Sequence, residues 1–153
     1  MRLHETPELF WLVATTVMTG LLWIPYIVNR VKELGPPSMN WYPPPDPPHK
    51  AAWAARAMRA HENAVENLVI FAPLALAVYA TGSGTSVTAA ACMIYFFARA
   101  AHYLIGIFGL PIPPRTVAFL AGVGSQMTLG ATLLFHAAGN SGVPLAAVLN
   151  RSI

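Results

Sequence analysis

Charge is what this sequence has least of. Lys, Arg, Asp and Glu together make up 10% of its 153 residues, against about 25% in an ordinary soluble domain. It has one cysteine, Cys92, so no intrachain disulfide can form, and the apolar stretch around that cysteine suits a small buried hydrophobe. The formal net charge of +3 is accompanied by no basic tract, which argues against a nucleic-acid partner. Metal-ligand spacing is missing too: no pairing of the histidines and carboxylates gives it, and an H-E-x-x-H reading fails. A cleavable leader is not expected, because Glu5 and Glu8 spoil a basic start and no clear small-residue cleavage site follows.

What the chain does have is apolar length. Hydrophobic residues account for 56% of it, and the mean hydropathy is +0.52. Crossing about 30 Å of hydrocarbon takes roughly 20 helical residues. Four segments are long enough, at about 9–30, 51–80, 86–108 and 115–138. The expectation is an all-α integral membrane protein, a four-transmembrane-helix bundle forming a single domain over 1–153. The connection at 31–50 holds a stretch crowded with proline (GPPSMNWYPPPDPPHK) that cannot be helical. Asp46 followed by Pro47 reads as the cap and first turn of the second span. TGSGTS at 81–86 reads as a tight turn, which makes the second and third spans an antiparallel hairpin. Trp11, Trp23, Trp41 and Trp53 read as interface anchors and packing residues.

Loop charge orients the bundle. Arg30, Lys32 and Lys50 flank the first loop and Arg115 ends the third, while the second carries no charge. The positive-inside rule then makes loops one and three cytoplasmic and puts both termini on the other side. At that orientation the second span carries Asn63 and Glu66 inside the cytoplasmic leaflet, with Arg56 and Arg59 at its surface. Arg99 and His102 of the third span, Arg30 of the first and Arg115 of the fourth come to the same depth. Charge facing hydrocarbon costs several kcal/mol, so this convergence marks a functional site by default.

Arg59, Asn63 and Glu66 are spaced three and four apart, on one helix stripe. Guanidinium groups pair with carboxylates, a glutamate holds an ammonium, and an amide donates or accepts. That set fits a zwitterionic, peptide-like ligand with several carboxylates. The alternative is a structural salt-bridge cluster in which Glu66 pairs with Arg59 or Arg99. Tyr95, Arg99, His102 and Tyr103 share a face of the third span, and His102 reads either as a wall of the site or as an interhelical histidine. Arg115 and Thr116 open the fourth span behind Pro113 and Pro114, where a helix N-terminus, a guanidinium and a hydroxyl suit an anion such as a thiolate. An interfacial arginine beside a capping threonine is the competing reading. Ala118 and Gly122 form a small-xxx-small pair, and Ser125 and Gln126 are placed to bond across the same interface. His61 and Glu62 lie off the stripe, and His136 stands alone near the far end of the fourth span.

The segments RAHENAVENLVIFAPL (59–74), FFARAAHYLIG (96–106) and PIPPRTVAF (111–119) resemble the MAPEG family, the membrane-associated proteins of eicosanoid and glutathione metabolism. The order and lengths of the four spans agree, so the resemblance covers nearly the whole chain. It implies a four-helix bundle assembled as a homotrimer, with glutathione bound between subunits near the cytoplasmic face. Carried over by position, Arg59, Asn63 and Glu66 would bind glutathione, Arg30 would add a carboxylate contact, and Arg99 and His102 would line the site. Arg115 would stabilise the glutathione thiolate with Thr116 beside it. Gly106 and Phe119 stand where family enzymes often have tyrosine.

The function expected is a glutathione-dependent membrane transferase of microsomal type, with hydroperoxide reduction as a related activity, acting in detoxification on lipophilic electrophiles dissolved in the bilayer. No metal is required. The same fold leaves two alternatives: a non-catalytic lipid-binding or scaffold protein, and a small exporter using Glu66 as a proton-coupled carboxylate. Compactness and the lack of a recognisable retrieval tail point to a bacterial inner membrane.

Overall fold

Proline and glycine decide where the helices stop. A computed structural model describes residues 6–39 and 46–140. It contains α1 (Pro7–Leu21), α2 (Ile24–Leu34), α3 (Ala52–Thr81), α4 (Ser86–Phe108) and α5 (Ile112–Asn140), with no strand among the described residues. Four stretches are long and apolar enough to cross a membrane: Pro7–Leu34, Ala52–Thr81, Ser86–Phe108 and Ile112–Asn140.

The first span is two helices rather than the single run expected over 9–30. Pro25 has no N–H to offer the Leu21 carbonyl, and its ring crowds that turn. The Leu22 N–H instead closes a tight turn on the Thr19 carbonyl at 3.2 Å. Tyr103 of α4 donates its hydroxyl to the Leu22 carbonyl at 2.7 Å, which supplies the break with a partner from another helix. A buried carbonyl left alone would cost about 1–3 kcal/mol.

The start of α3 also differs from expectation. Asp46 does not cap it; the cap residue is Ala51, and the helix begins at Ala52. Glu33, at the end of α2, braces the residues just ahead of that start. Its carboxylate accepts the backbone N–H groups of Lys50 at 3.2 Å and Ala51 at 3.1 Å, and the Asn29 side-chain amide at 2.7 Å. A carboxylate beside a helix N-terminus is favourable whichever element delivers it. Asp46, too far upstream to reach that turn, pairs with Arg30 at 3.0 Å.

The other ends follow local rules. Gly82 and Gly109 close α3 and α4 in the left-handed conformation, with φ of 66° and 65°. Thr85 and Thr88 form a capping box at the start of α4. The fourth span opens at Ile112, three residues before the expected start, because Pro113 and Pro114 fit a first helical turn whose N–H groups need no partner.

α4 is the central element and touches α1, α3 and α5. The larger core joins Leu12, Phe71, Val78, Cys92, Tyr95 and Leu129, with the Phe71 and Tyr95 rings stacked at 3.8 Å and 6°. Alanines 54, 57, 60 and 64 line the buried face of α3 and let its neighbours approach closely. Trp11 packs its ring 5.4 Å from that of Phe96, whereas Trp23 and Trp53 are exposed; Trp41 lies outside the described residues. Glu8 is buried, accepting the Thr88 hydroxyl at 2.6 Å, and so ties α1 to the start of α4.

Candidate functional site

Three helices bring Asn63, His102, Arg115 and Thr116 to one cleft of about 400 Å³, closed by Ile112 and Phe119. α3 supplies Asn63, α4 supplies His102, and the first turns of α5 supply the rest. Arg115 donates from Nε to His102 Nε2 at 3.1 Å. A guanidinium has hydrogens and no lone pair to give, so His102 is the acceptor and is neutral, with its own hydrogen on Nδ1. Thr116 is exposed, and its hydroxyl donates back to the Ile112 carbonyl at 3.2 Å, leaving oxygen lone pairs for other partners. Pro113 and Pro114 remove two of the free N–H groups that a helix start normally offers, so the anion-binding character of this corner rests mainly on Arg115.

Arg99 lies behind the cleft, 1% exposed. It donates to the Phe119 carbonyl at 3.0 Å and reaches the Asn63 side-chain oxygen at 3.5 Å. Its guanidinium carbon is 5.3 Å from the Tyr95 ring centroid and 5.4 Å from that of Phe119. Glu66 is not its partner, contrary to one of the expectations from sequence. The Glu66 side chain is exposed on the flank of α3, as is Arg59, and neither forms an ion pair with a described residue.

Arg30 is held by the loop, bonded to Asp46 and to the Pro47 carbonyl. Within one chain, then, Asn63, His102, Arg115 and Thr116 meet, while Arg30, Arg59 and Glu66 do not line the same cleft.

Sequence reasoning missed several partners. Arg56 caps the end of α4, donating from Nε to the carbonyl of Gly106 at 3.1 Å and from Nη2 to that of Ile107 at 2.9 Å. Its fit to the last carbonyls of another helix is invisible without the fold. Gly106 is buried, and a Cβ there would stand 3.4 Å from Ala60, so this position belongs to the α3–α4 contact. His61 shares a hydrogen bond of 2.9 Å with the Tyr26 hydroxyl, which places it between α2 and α3. Ser125 bonds back to the Ala121 carbonyl at 3.0 Å rather than across the interface, whereas Gln126 does cross it, to the Asn67 carbonyl at 3.0 Å.

A larger groove of about 860 Å³ runs between α3 and α5 at the opposite end, lined by Leu74, Leu133, Leu134 and His136 among others. It carries no arginine or carboxylate and does not suit a ligand rich in carboxylates. No group of histidine, cysteine, aspartate and glutamate side chains among the described residues is arranged to hold a metal ion.

No curated protein and no solved structure matches the chain. The sequence profile of the MAPEG family matches residues 9–135, and the chain belongs to that family.

Proposed function

We propose that this protein is a glutathione-dependent membrane transferase, with hydroperoxide reduction as a second activity of the same site. The observation that carries the reading is the cleft in which Arg115, fixed by His102, stands beside Asn63 of the Arg59–Asn63–Glu66 row. Family membership supports it, since the MAPEG family includes glutathione transferases and related enzymes.

Glutathione has two carboxylates, one ammonium and one thiol. Arg59 and Arg30 suit the carboxylates, Glu66 the ammonium, and Asn63 a backbone amide of the tripeptide. Arg59 and Glu66 are exposed on a membrane-spanning helix, where uncovered charge is costly. A second copy of the chain laid on that flank would cover them, and a homotrimer with the tripeptide between subunits is the assembly proposed. Arg30 joins by exchanging Asp46 for a ligand carboxylate. Arg99 acts from behind, holding Asn63 and the Phe119 backbone.

Arg115 then faces the sulfur, with Thr116 beside it. A free thiol titrates near 8.5, and bringing it to about 6.5 needs roughly 2.7 kcal/mol of preference for the thiolate. One partly desolvated guanidinium is of the right order to supply that. The thiolate attacks the electrophilic carbon of an apolar substrate arriving from the bilayer, forming the C–S bond as the leaving group departs with its electron pair. With a hydroperoxide, sulfur takes the terminal oxygen and the alcohol leaves. A second glutathione then reduces the sulfenic acid to the disulfide, releasing water.

The bilayer proposed is a bacterial inner membrane, with loops one and three cytoplasmic. Calorimetry with glutathione on the purified protein, beside ultraviolet difference spectra for thiolate, tests the reading. Absence of binding overturns it. Glutathione binding that is unchanged in Arg59→Ala and Glu66→Ala overturns the ligand assignment. The apolar groove between α3 and α5 favours a second reading, a non-catalytic lipid-binding or scaffold protein, which predicts lipid binding without any thiolate signal.

A further inference from the structure

Arg115 is exposed, and a long side chain at the start of a helix samples many rotamers. His102 is its opposite: 5% exposed, on the central helix, with its ring centroid 6.3 Å from that of Phe119. The bond between them uses Arg115 Nε, the hydrogen on the side edge of the guanidinium. Among the described residues, the terminal Nη1 and Nη2 groups have no hydrogen-bond partner.

We infer that His102 is a positioning residue, which withholds the Nε edge of Arg115 and presents the Nη1/Nη2 end to the sulfur of the ligand. This deepens the glutathione reading and rests on it. A sulfur anion is a single large acceptor, and two parallel N–H groups converging on it hold it better than a freely rotating guanidinium. The imidazole does this through a lone pair. Arg99 and Arg115 are the charged groups facing His102, so an imidazolium there would meet two cations and could not accept the bond. On this assignment His102 acts through Arg115, which separates its effect on turnover from its effect on affinity.

Two variants test the assignment: His102→Phe, which keeps a ring in the cavity and removes the acceptor, and His102→Gln, whose amide oxygen restores one. The expected result for Phe is turnover lowered about 10- to 100-fold, with the thiol titration moved up by about one unit and glutathione affinity changed less than about threefold. Gln should recover most of the loss. Equal falls in affinity and turnover would make His102 a ligand contact and overturn the inference, as would a Phe variant that behaves like the parent. If the parent itself gives no thiolate signal, the glutathione reading falls and this inference with it; a signal in the parent that the Phe variant leaves unmoved removes only the inference. Nitrogen NMR of the parent protein supplies a check that needs no variant to fold: a hydrogen found on His102 Nε2 overturns the assignment.

Discussion

Arg99 crosses α5 at Gly122, in space that any side chain at position 122 would occupy. A Cβ built there would stand 2.7 Å from the guanidinium carbon and 2.8 Å from Nε. At Gly122, the small-xxx-small pair read from sequence thus admits a buried cation. That cation ties three helices together through Phe119 and Asn63. Gly122→Ala should destabilise the bundle by about 1–3 kcal/mol, because the guanidinium must shift or be expelled. Thermal unfolding in detergent measures this, and an unchanged midpoint would show that the space is not needed.

Arg115 is the group whose removal should separate chemistry from binding. Arg115→Ala is expected to lower turnover about 100-fold while changing glutathione affinity less than about fivefold. Arg115→Lys should fall between, since an ammonium keeps the charge and loses the fork. Parallel losses of turnover and affinity would remove the assignment.

Arg59 and Glu66 should show the reverse pattern. Both are exposed and neither forms an ion pair with a described residue, so the fold of one chain does not depend on them. Arg59→Ala and Glu66→Ala are expected to weaken glutathione binding at least about tenfold by calorimetry, as losing a hydrogen bond to a charged group does. Thermal midpoints measured without ligand should stay near the parent's. A large fall in the midpoint would show that the two residues serve the fold and would remove the ligand-binding assignment.

Two acidic residues at the first loop should behave differently from each other. Glu33 accepts three hydrogen bonds at the junction of α2 and α3, so Glu33→Ala should loosen the start of α3 and raise hydrogen exchange at residues 50–54. Asp46, 86% exposed in its pair with Arg30, should contribute less than about 1 kcal/mol. Because Asp46 must leave before Arg30 can meet a ligand carboxylate, Asp46→Asn is expected to raise glutathione affinity by up to about fivefold. Weaker binding in that variant would mean that the loop aspartate assists the ligand rather than competing with it.

Particular residues show how far reading along the chain reaches. The third span was legible to the residue, Ser86–Phe108, because Thr85 and Gly109 are punctuation that acts within a turn. The break at Pro25 carried a local signal as well, yet apolar length outweighed it and one run was expected. The contact of Glu33 with the start of α3 was not legible, since the two meet across a proline-rich loop. The partner of Arg99 was not legible, because Glu66 and Phe119 both lie on neighbouring helices and only the facing of each helix chooses between them.

Hydropathy, span length and the order of the motifs belong to the chain alone, since they depend on side-chain transfer and on hydrogen bonds closed within one helix. They determined the four spans and the family resemblance. The rotation of each helix about its axis is set by packing between elements distant in sequence, and only the tertiary structure decided it. That rotation sends Arg99 inward onto Gly122, joins Arg115 to His102, and turns Arg59 and Glu66 outward.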